Sequence, residues 1–327
     1  MRPYCLQAAE NAEAYQKAMR LLQEADVAVI GGGNLEFEVA RAKTGKLMFE
    51  MSERWLKRGW LNILSPLVLK KLYYYYTNFK YKNIYKLCCS GYAASDCQKL
   101  GVYKGRCFKW GYFTGVDEDG MYPERHDTDE IVVSIVWCAR FIGWKHPELP
   151  VQMASRLKTE GYRIIIDMYG EGKERKRVQS MVQQHGVEKV VHFMGVHANT
   201  EIMQAMRAHD IFLMTSDCRE GWGAVVNEAM ASGCVPVVSD AVGCAPYLIK
   251  DGINGFLFES GDVDSLTDKV RWLLEHPEER QKMRKAAYQH MKSLWNPRHA
   301  AEALLQLSSD LLSGRESTIT EGPGSRA

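Results

Sequence analysis

Short apolar runs separated by longer amphipathic stretches mark the chain from end to end. In the first third they are Asp26–Ile30 (DVAVI), Lys46–Glu50 (KLMFE), Ile84–Cys89 and Arg106–Trp110. Ile131–Trp137 (IVVSIVW), Arg163–Met168 (RIIIDM), Val190–Gly195 (VVHFMG), Ile211–Thr215 (IFLMT), Val235–Ser239 (VPVVS) and Phe256–Phe258 follow. Such runs, lacking polar alternation, suit strands buried on both faces, and the segments between them can hold crossover helices, so the pattern predicts parallel α/β sheets. Helical patterns are expected over Pro3–Ala25, Thr200–Ala208, Val263–His276, Pro277–Ser293, with Pro277 at a first-turn position, and Arg298–Leu312. Glu316–Ala327 is expected to be a disordered tail.

The densest signal is Ser216–Asp240, SDCREGWGAVVNEAMASGCVPVVSD, which reads as a loop, a helix and a buried strand closing a β-α-β unit. Glu220, Gly221, Trp222 and Gly223 stand just before a helix of small residues, Ala224–Ser232, where free backbone N–H groups and the positive end of the helix dipole favour an anion such as a phosphate. Glu228 follows Glu220 by two turns and a little. A carboxylate on that helix can accept both hydroxyls of a ribose, one at each oxygen.

Composition narrows the class. The chain of 327 residues, 46% apolar and 25% charged, has the length for two domains, and a net charge of +2 excludes a globally basic nucleic-acid binder. Nine scattered cysteines without metal-ligand spacing suit a reducing, cytoplasmic compartment, and no apolar run approaches a membrane span. The Asp117-x-Asp119, Asp127-x-Asp129 and Asp262-x-Asp264 pairs follow no buried strand and read as solvated loops, so no metal is expected.

The run E-G-W-G-A-V-V-N-E-A-M-A-S-G-C-V-P-V-V closely resembles the E-x7-E signature of retaining nucleotide-sugar glycosyltransferases of the GT-B fold, family 4, the glycosyl transferases group 1. Cys138–Lys145 resembles that family's Gly-Arg-Leu-x-x-x-Lys, with Arg140 and Lys145 at the matching spacing. Tyr169-Gly170-Glu171-Gly172 stands where the family has Gly-x-Gly, and the end of Val190–Gly195 resembles the strand end that cradles the base. The resemblance implies two Rossmann-like doubly wound domains with a cleft between them: an acceptor-side domain over 1–114, a linker over 115–130, a donor domain over 131–295, a crossover helix over 296–313 and the tail over 314–327. It implies a sugar transferred with retention and without metal or cofactor from a nucleotide-diphosphate sugar to a hydroxyl on a lipid-linked or polysaccharide-type glycan precursor. Arg140 and Lys145 would hold the diphosphate and stabilise its growing charge, with Glu220 orienting the sugar's hydroxyls. Glu228 would take the ribose. Gly221, Trp222, Gly223, Ala224 and Val225 would offer backbone to sugar and phosphate, with Gly170, Gly172, Met194 and Gly195 completing the donor site. Missing side chains at Gly170 and Gly172 would let backbone approach a phosphate or base.

The resemblance is dense from about Ile131 to Trp295 and thin before it. The chain opens in helix where the family opens with a strand and a glycine-rich loop, so a first domain shortened by an opening β-α unit is expected. A non-catalytic nucleotide-sugar or lipid-binding partner of an intact transferase is the alternative, and a nucleotide-sugar 2-epimerase a weaker one. Gly31-x-Gly33 after a strand suggests a dinucleotide turn, but Glu36 takes the place of the third glycine and would repel a pyrophosphate. A tight turn is the plainer reading. Gly32, Gly33, Glu50, Ser52 and Glu53 are the acceptor-side candidates, at strand ends where open α/β sheets bind ligands.

Arg54–Ser95 holds no acidic residue, yet carries Arg54, Lys57, Arg58, Lys70, Lys71, Lys80, Lys82 and Lys86 among many aromatics. That mix suits a solvated face or an anionic membrane surface, which would place the protein at the inner face of the membrane. Nucleic acid is not expected, because no RNA-binding module pattern accompanies it.

Overall fold

Residues 11–31, 35–116 and 132–327 are described by this computed structural model, and within them every ladder between strands is parallel. The chain divides into two compact units: Met1–Gly111 with Ala301–Ala327, and Tyr112–Ala300. The strands lie where the apolar runs predict them, to within one or two residues.

In the first unit the sheet runs in chain order, β1 (Val27–Gly31), β2 (Leu47–Ser52), β3 (Ile84–Cys88) and β4 (Cys107–Lys109). The helices are α1 (Ala12–Glu24), α2 (Leu35–Thr44), α3 (Pro66–Tyr74) and α4 (Ala93–Leu100). Asn11 caps α1 by accepting from the Ala14 N–H at 2.8 Å. Arg41 of α2 is fully buried and donates to the carbonyls of Leu22, Ala25, Asp26 and Leu47, so one guanidinium ties α1 to the sheet. Leu47, Met48 and Phe49 are wholly buried. Beside them, Glu50 and Lys86 stand directly opposite on β2 and β3 and form a buried ion pair. The Lys86 ammonium also donates to Ser52 Oγ at 2.6 Å and lies over the Trp55 and Tyr103 rings. Burial pushes the Glu50 carboxyl up, but the Lys86 charge, then that of Lys71, outweighs it and holds the group below the usual carboxylate range.

The tail corrects an expectation. Arg326 forms an antiparallel bridge to Phe108, the Lys109 N–H donates to the Ser325 carbonyl at 2.8 Å, and Ser325 is buried. The outer edge of β4 presents unpaired peptide groups, and the 324–327 backbone satisfies them.

The second unit has the strand order β10-β9-β8-β5-β6-β7, built from β5 (Val133–Cys138), β6 (Ile164–Tyr169), β7 (Val191–Gly195), β8 (Ile211–Met214), β9 (Val235–Ser239) and β10 (Phe256–Phe258). Its helices are α5 (Glu148–Thr159), α6 (Arg175–Gln184), α7 (Asn199–Ala208), α8 (Ala224–Ala231), α9 (Ala245–Leu248), α10 (Val263–Glu275) and α11 (Pro277–Ser293). The last helix, α12 (Pro297–Leu312), carries the boundary between the units. Ile135, Leu213 and Val237 enter one core, while their neighbours Val136, Phe212 and Val238 enter the other. Each strand therefore feeds apolar residues to both faces, which is why its sequence shows no polar alternation. The chain builds β5, β6 and β7 outward in one direction, then returns to place β8, β9 and β10 on the other side of β5. At the carboxyl ends beside such a reversal, the connecting loops part in opposite directions and leave a crevice.

Candidate functional site

Beyond β5 the chain turns through Ala139, Arg140 and Phe141 and is laced to the loop after β6. The Ala139 N–H donates to the Tyr169 carbonyl at 3.1 Å, and the Phe141 N–H to the Glu171 carbonyl at 2.9 Å. Lacing this close leaves no room for side chains: a Cβ on Gly170 would overlap the Ala139 carbonyl, and one on Gly172 the Phe141 carbonyl. The glycines are therefore demanded by the chain's own backbone, whatever else approaches them.

Lys145 ends a short turn, Gly143–Lys145. Its carbonyl accepts from Thr215 Oγ1 at 2.6 Å, and that hydroxyl accepts in turn from Trp137 Nε1 at 2.8 Å. The Asp217 N–H donates to the Trp144 carbonyl at 3.0 Å, so the loops after β5 and β8 are fastened together. Their side chains meet: Lys145 and Glu220, 75 positions apart, form an ion pair with only 11% and 14% of the two side chains exposed. His146, at φ +47°, contacts Glu148 at 2.9 Å and Asp217 at 3.7 Å. Its hydrogen bond to Glu148 holds the imidazole above its ordinary value, against the effect of burial and with help from the Asp217 charge. Arg140 contrasts with these, since it is exposed and its side chain has no hydrogen bond or ion pair among the described residues.

Gly221, Trp222 and Gly223 are buried. Gly223 takes φ +94°, and a Cβ there would press on Val242 Cγ1 at 3.0 Å and Met214 Cε at 3.1 Å. From this turn α8 starts without a side-chain cap, at Ala224 and Val225, both half-buried. The Trp222 side chain belongs to the core: it stacks on Trp295 at 5.7 Å and donates from Nε1 to Asn227 Oδ1 at 2.8 Å. Only its backbone faces the turn's other duties. On the helix body, Glu228 is half-buried and its Oε1 accepts from Asn199 Nδ2 at 3.3 Å. Burial pushes its carboxyl up, and the Asn199 bond opposes this. Cys138, at the end of β5, feels both site charges: burial, with Glu228 in support and Lys145 in opposition, pushes its thiol up to about 11. At the end of β7, Met194 is exposed and the Gly195 carbonyl accepts from the Gly170 N–H at 2.7 Å.

The structure thus brings Lys145 to Glu220 and sets Arg140, Gly170, Gly172, Gly221–Val225 and Glu228 on loops and a helix that leave β5, β6 and β8. Sequence reasoning missed Cys138, His146, Asn199 and Thr215. Cys138 and Thr215 end apolar runs, and a strand's last residue was the available signal; nothing local marks Asn199, which reaches Glu228 from another helix.

The acceptor-side candidates fare differently. Gly32 and Gly33 lie outside the described residues. Glu50, 3% exposed, is held by Lys86, Ser52 accepts from the same ammonium, and Glu53 pairs with Lys57 at 2.5 Å. The side chains at this strand end satisfy one another, and Glu50 and Ser52 belong to the first unit's core network. Within the basic stretch two cations are turned away from any outer surface: Lys86 is buried, and Arg54 donates to Asp96 at 3.1 Å. Of the three Asp-x-Asp pairs, the first two lie outside the described residues. Asp262 caps α10, and Asp264 pairs with Arg156. Among the described residues no group of three or more His, Cys, Asp or Glu is gathered as metal ligands, and no helix is long and apolar enough to cross a membrane.

Solved structures with this arrangement include Anabaena Alr3699/HepE in complex with UDP, at a TM-score of 0.69 and 18% identity over 92% of this chain and 82% of that one. A glycosyltransferase from Rickettsia africae superposes with a TM-score of 0.68 at 15% identity, covering 93% of this chain and 83% of the other. At such identities they show the fold, which is GT-B. In sequence, the chain is 32% identical to the trehalose synthase of Pyrococcus horikoshii over 164 residues, 47% of this chain and 38% of that protein. It is 27% identical to the D-inositol 3-phosphate glycosyltransferase of Mycolicibacterium smegmatis over 212 residues, 61% of this chain and 46% of that protein. The matches thus span less than half the length of these curated relatives. The profile of one family, "Glycosyl transferases group 1", covers residues 123–290, more than half of the 327-residue chain. On that match, and on the sheet reversal that carries its motif residues, this chain belongs to the glycosyl transferases group 1 family.

Proposed function

We propose that the chain transfers a sugar, with retention and without metal or cofactor, from a nucleotide-diphosphate sugar to a hydroxyl of a lipid-linked or polysaccharide-type glycan. The single observation that carries this reading is the meeting of Lys145 and Glu220 at the sheet reversal, on the loop that leads into the helix of Glu228. Breaking the sugar–phosphate bond builds negative charge on the departing diphosphate. Fixed cations in a partly dry pocket stabilise that charge without reorganising. Lys145, braced by Thr215, and Arg140, which pairs with no side chain among the described residues, have this role. The uncapped first turn of α8 adds peptide N–H groups aimed the same way. Glu228 accepts the two ribose hydroxyls, and Asn199 sets its rotamer. Glu220 turns one oxygen to Lys145 and has the other for hydroxyls of the donor sugar. Work on the cytoplasmic side, against the membrane, fits the free thiols of the eight described cysteines.

The test is a calorimetric and thermal-shift titration of uridine, guanosine and adenosine diphosphates and their sugars, in chelator, followed by NMR of the product's anomeric centre. One nucleotide at a hundred times its dissociation constant is expected to add about 2.7 kcal/mol of stability. Absence of binding to every nucleotide would overturn the reading, and tight binding without turnover on any hydroxyl acceptor would favour a non-catalytic binder.

A further inference from the structure

Exposed apolar side chains are not scattered evenly over this molecule. Of sixteen large ones in the described residues, eight fall within residues 60–81, a concentration that marks an interaction surface rather than background. Trp60, Leu61, Leu64, Leu67 and Tyr73 are each more than half exposed, Leu61 to 80%.

The segment that bears them is a held platform. Gly59–Leu64 forms a 3-10 turn that buries none of its residues, and Pro66 then starts α3. Val68, Tyr75 and Phe79 point inward and are buried, with the Tyr75 hydroxyl accepting from the Tyr103 N–H at 2.9 Å. Leu69, Tyr73 and Tyr76 follow one another at helical spacing on the opposite, solvent side. Cations accompany them. Arg58, Lys70 and Lys82 are exposed, and no carboxylate among the described residues pairs with them. Lys71, by contrast, turns inward over the Trp55 ring at 5.1 Å.

Exposed leucines, tryptophan and tyrosines among them, and cations at the margin that pair with no carboxylate among the described residues are what a bilayer interface accepts: acyl boundary for the first, headgroup level for the second, lipid phosphate for the third. A second copy of the chain would set like charges against each other. A nucleic acid would stack on the rings but leave the exposed Leu61, Leu64, Leu67 and Leu69 without a partner. We propose that residues 58–82 form a monotopic anchor that seats this unit on an anionic membrane, with Trp60, Leu61, Leu64 and Leu67 entering the acyl boundary and Arg58, Lys70 and Lys82 contacting lipid phosphates. This anchor is independent of the donor-site reading.

The test is flotation of the full chain on phosphatidylcholine vesicles with and without phosphatidylglycerol, at low and high salt. Binding is expected on the anionic vesicles and to fall about a hundredfold on neutral ones or in high salt. A Leu61→Ser, Leu64→Ser chain should lose about tenfold or more on anionic vesicles, with its melting temperature and nucleotide binding unchanged because both side chains are exposed. An Arg58→Gln, Lys70→Gln, Lys82→Gln chain should lose the salt dependence. Equal recovery on neutral and anionic vesicles, no recovery at all, or variants that float like the parent would each overturn the anchor. So would a concentration-dependent dimer in solution that the double serine chain abolishes, since the face would then be a contact between copies.

Discussion

The two sheets share parallel strands and helical layers, yet they use charge in opposite ways. In the first unit the sheet runs β1-β2-β3-β4 with no reversal among the described residues, and its strand-end charges face one another: Glu50, Lys86 and Ser52 close a buried network. In the second, the order reverses at β5, and the charges beside the reversal remain partly open: Arg140 exposed, Glu228 half-buried, Lys145 and Glu220 paired at the loop ends. A strand end by itself therefore does not make a site. Where neighbouring loops run the same way they pack over the charges and neutralise them; where they part, the charges are left for a ligand.

The largest test of this contrast is Lys86→Ala. Removing one partner of a buried pair leaves Glu50 uncompensated, and we expect a loss of about 3 to 5 kcal/mol in denaturant unfolding, with nucleotide affinity unchanged in the folded fraction. A Glu50→Leu, Lys86→Met chain should recover most of it. A loss below about 1 kcal/mol for the single change would mean that the first unit's charges are not part of its structure.

Next in size, Glu228→Ala and Lys145→Ala should each weaken nucleotide binding by about 1.5 to 3 kcal/mol, the range for hydrogen bonds to charged groups. Glu228→Ala should leave unfolding of the ligand-free chain nearly unchanged, whereas Lys145→Ala also strips Glu220 of its partner. Unaltered affinity in both, read by titration calorimetry, would remove the asymmetry between the units.

A smaller effect follows from acidity. Burial raises the Glu228 carboxyl above its ordinary value of 4.5, so nucleotide affinity should fall as pH drops through that raised value, because the protonated acid loses an acceptor. The ligand-free chain should show the reverse sign: stability from this group is present at low pH and is lost as pH rises through the folded value. Opposite slopes in binding and melting, both flattened in Glu228→Gln, are the expected signature.

The smallest is at His146, whose raised value means that its stabilising charge between Glu148 and Asp217 is fully present below about 6.5 and is lost as pH rises through the folded value. For a half-buried group still in reach of solvent, His146→Gln should cost at most about 1 kcal/mol and remove that alkaline slope.

The second sheet was legible because its strands are apolar on both faces: Val235–Ser239 is buried at every position, so the run announces itself. The Glu220 and Glu228 spacing was equally plain, since both lie on one turn and helix. What stayed hidden depends on register and on distant packing. Glu50 meets Lys86 only because β2 and β3 align those positions, 36 residues apart, and in sequence Glu50 is merely an acid at a strand end. The platform of residues 59–79 carries no alternation that separates inward Val68 from outward Leu69. The tail reads as polar and breaker-rich, and it is ordered by the edge of β4 rather than by any preference of its own.

The crowding at Gly170 and Gly172 decides what a substitution at either position can report. An alanine at either glycine collides with the Ala139 or Phe141 carbonyl before any substrate arrives. Its inactivity would report a dislocated loop, with Arg140 carried out of place, and would look the same as a lost phosphate contact in an activity assay alone. Arg140 itself, exposed and bonded to no other side chain among the described residues, is the cleaner reporter: Arg140→Ala changes what the loop offers without changing where the loop lies.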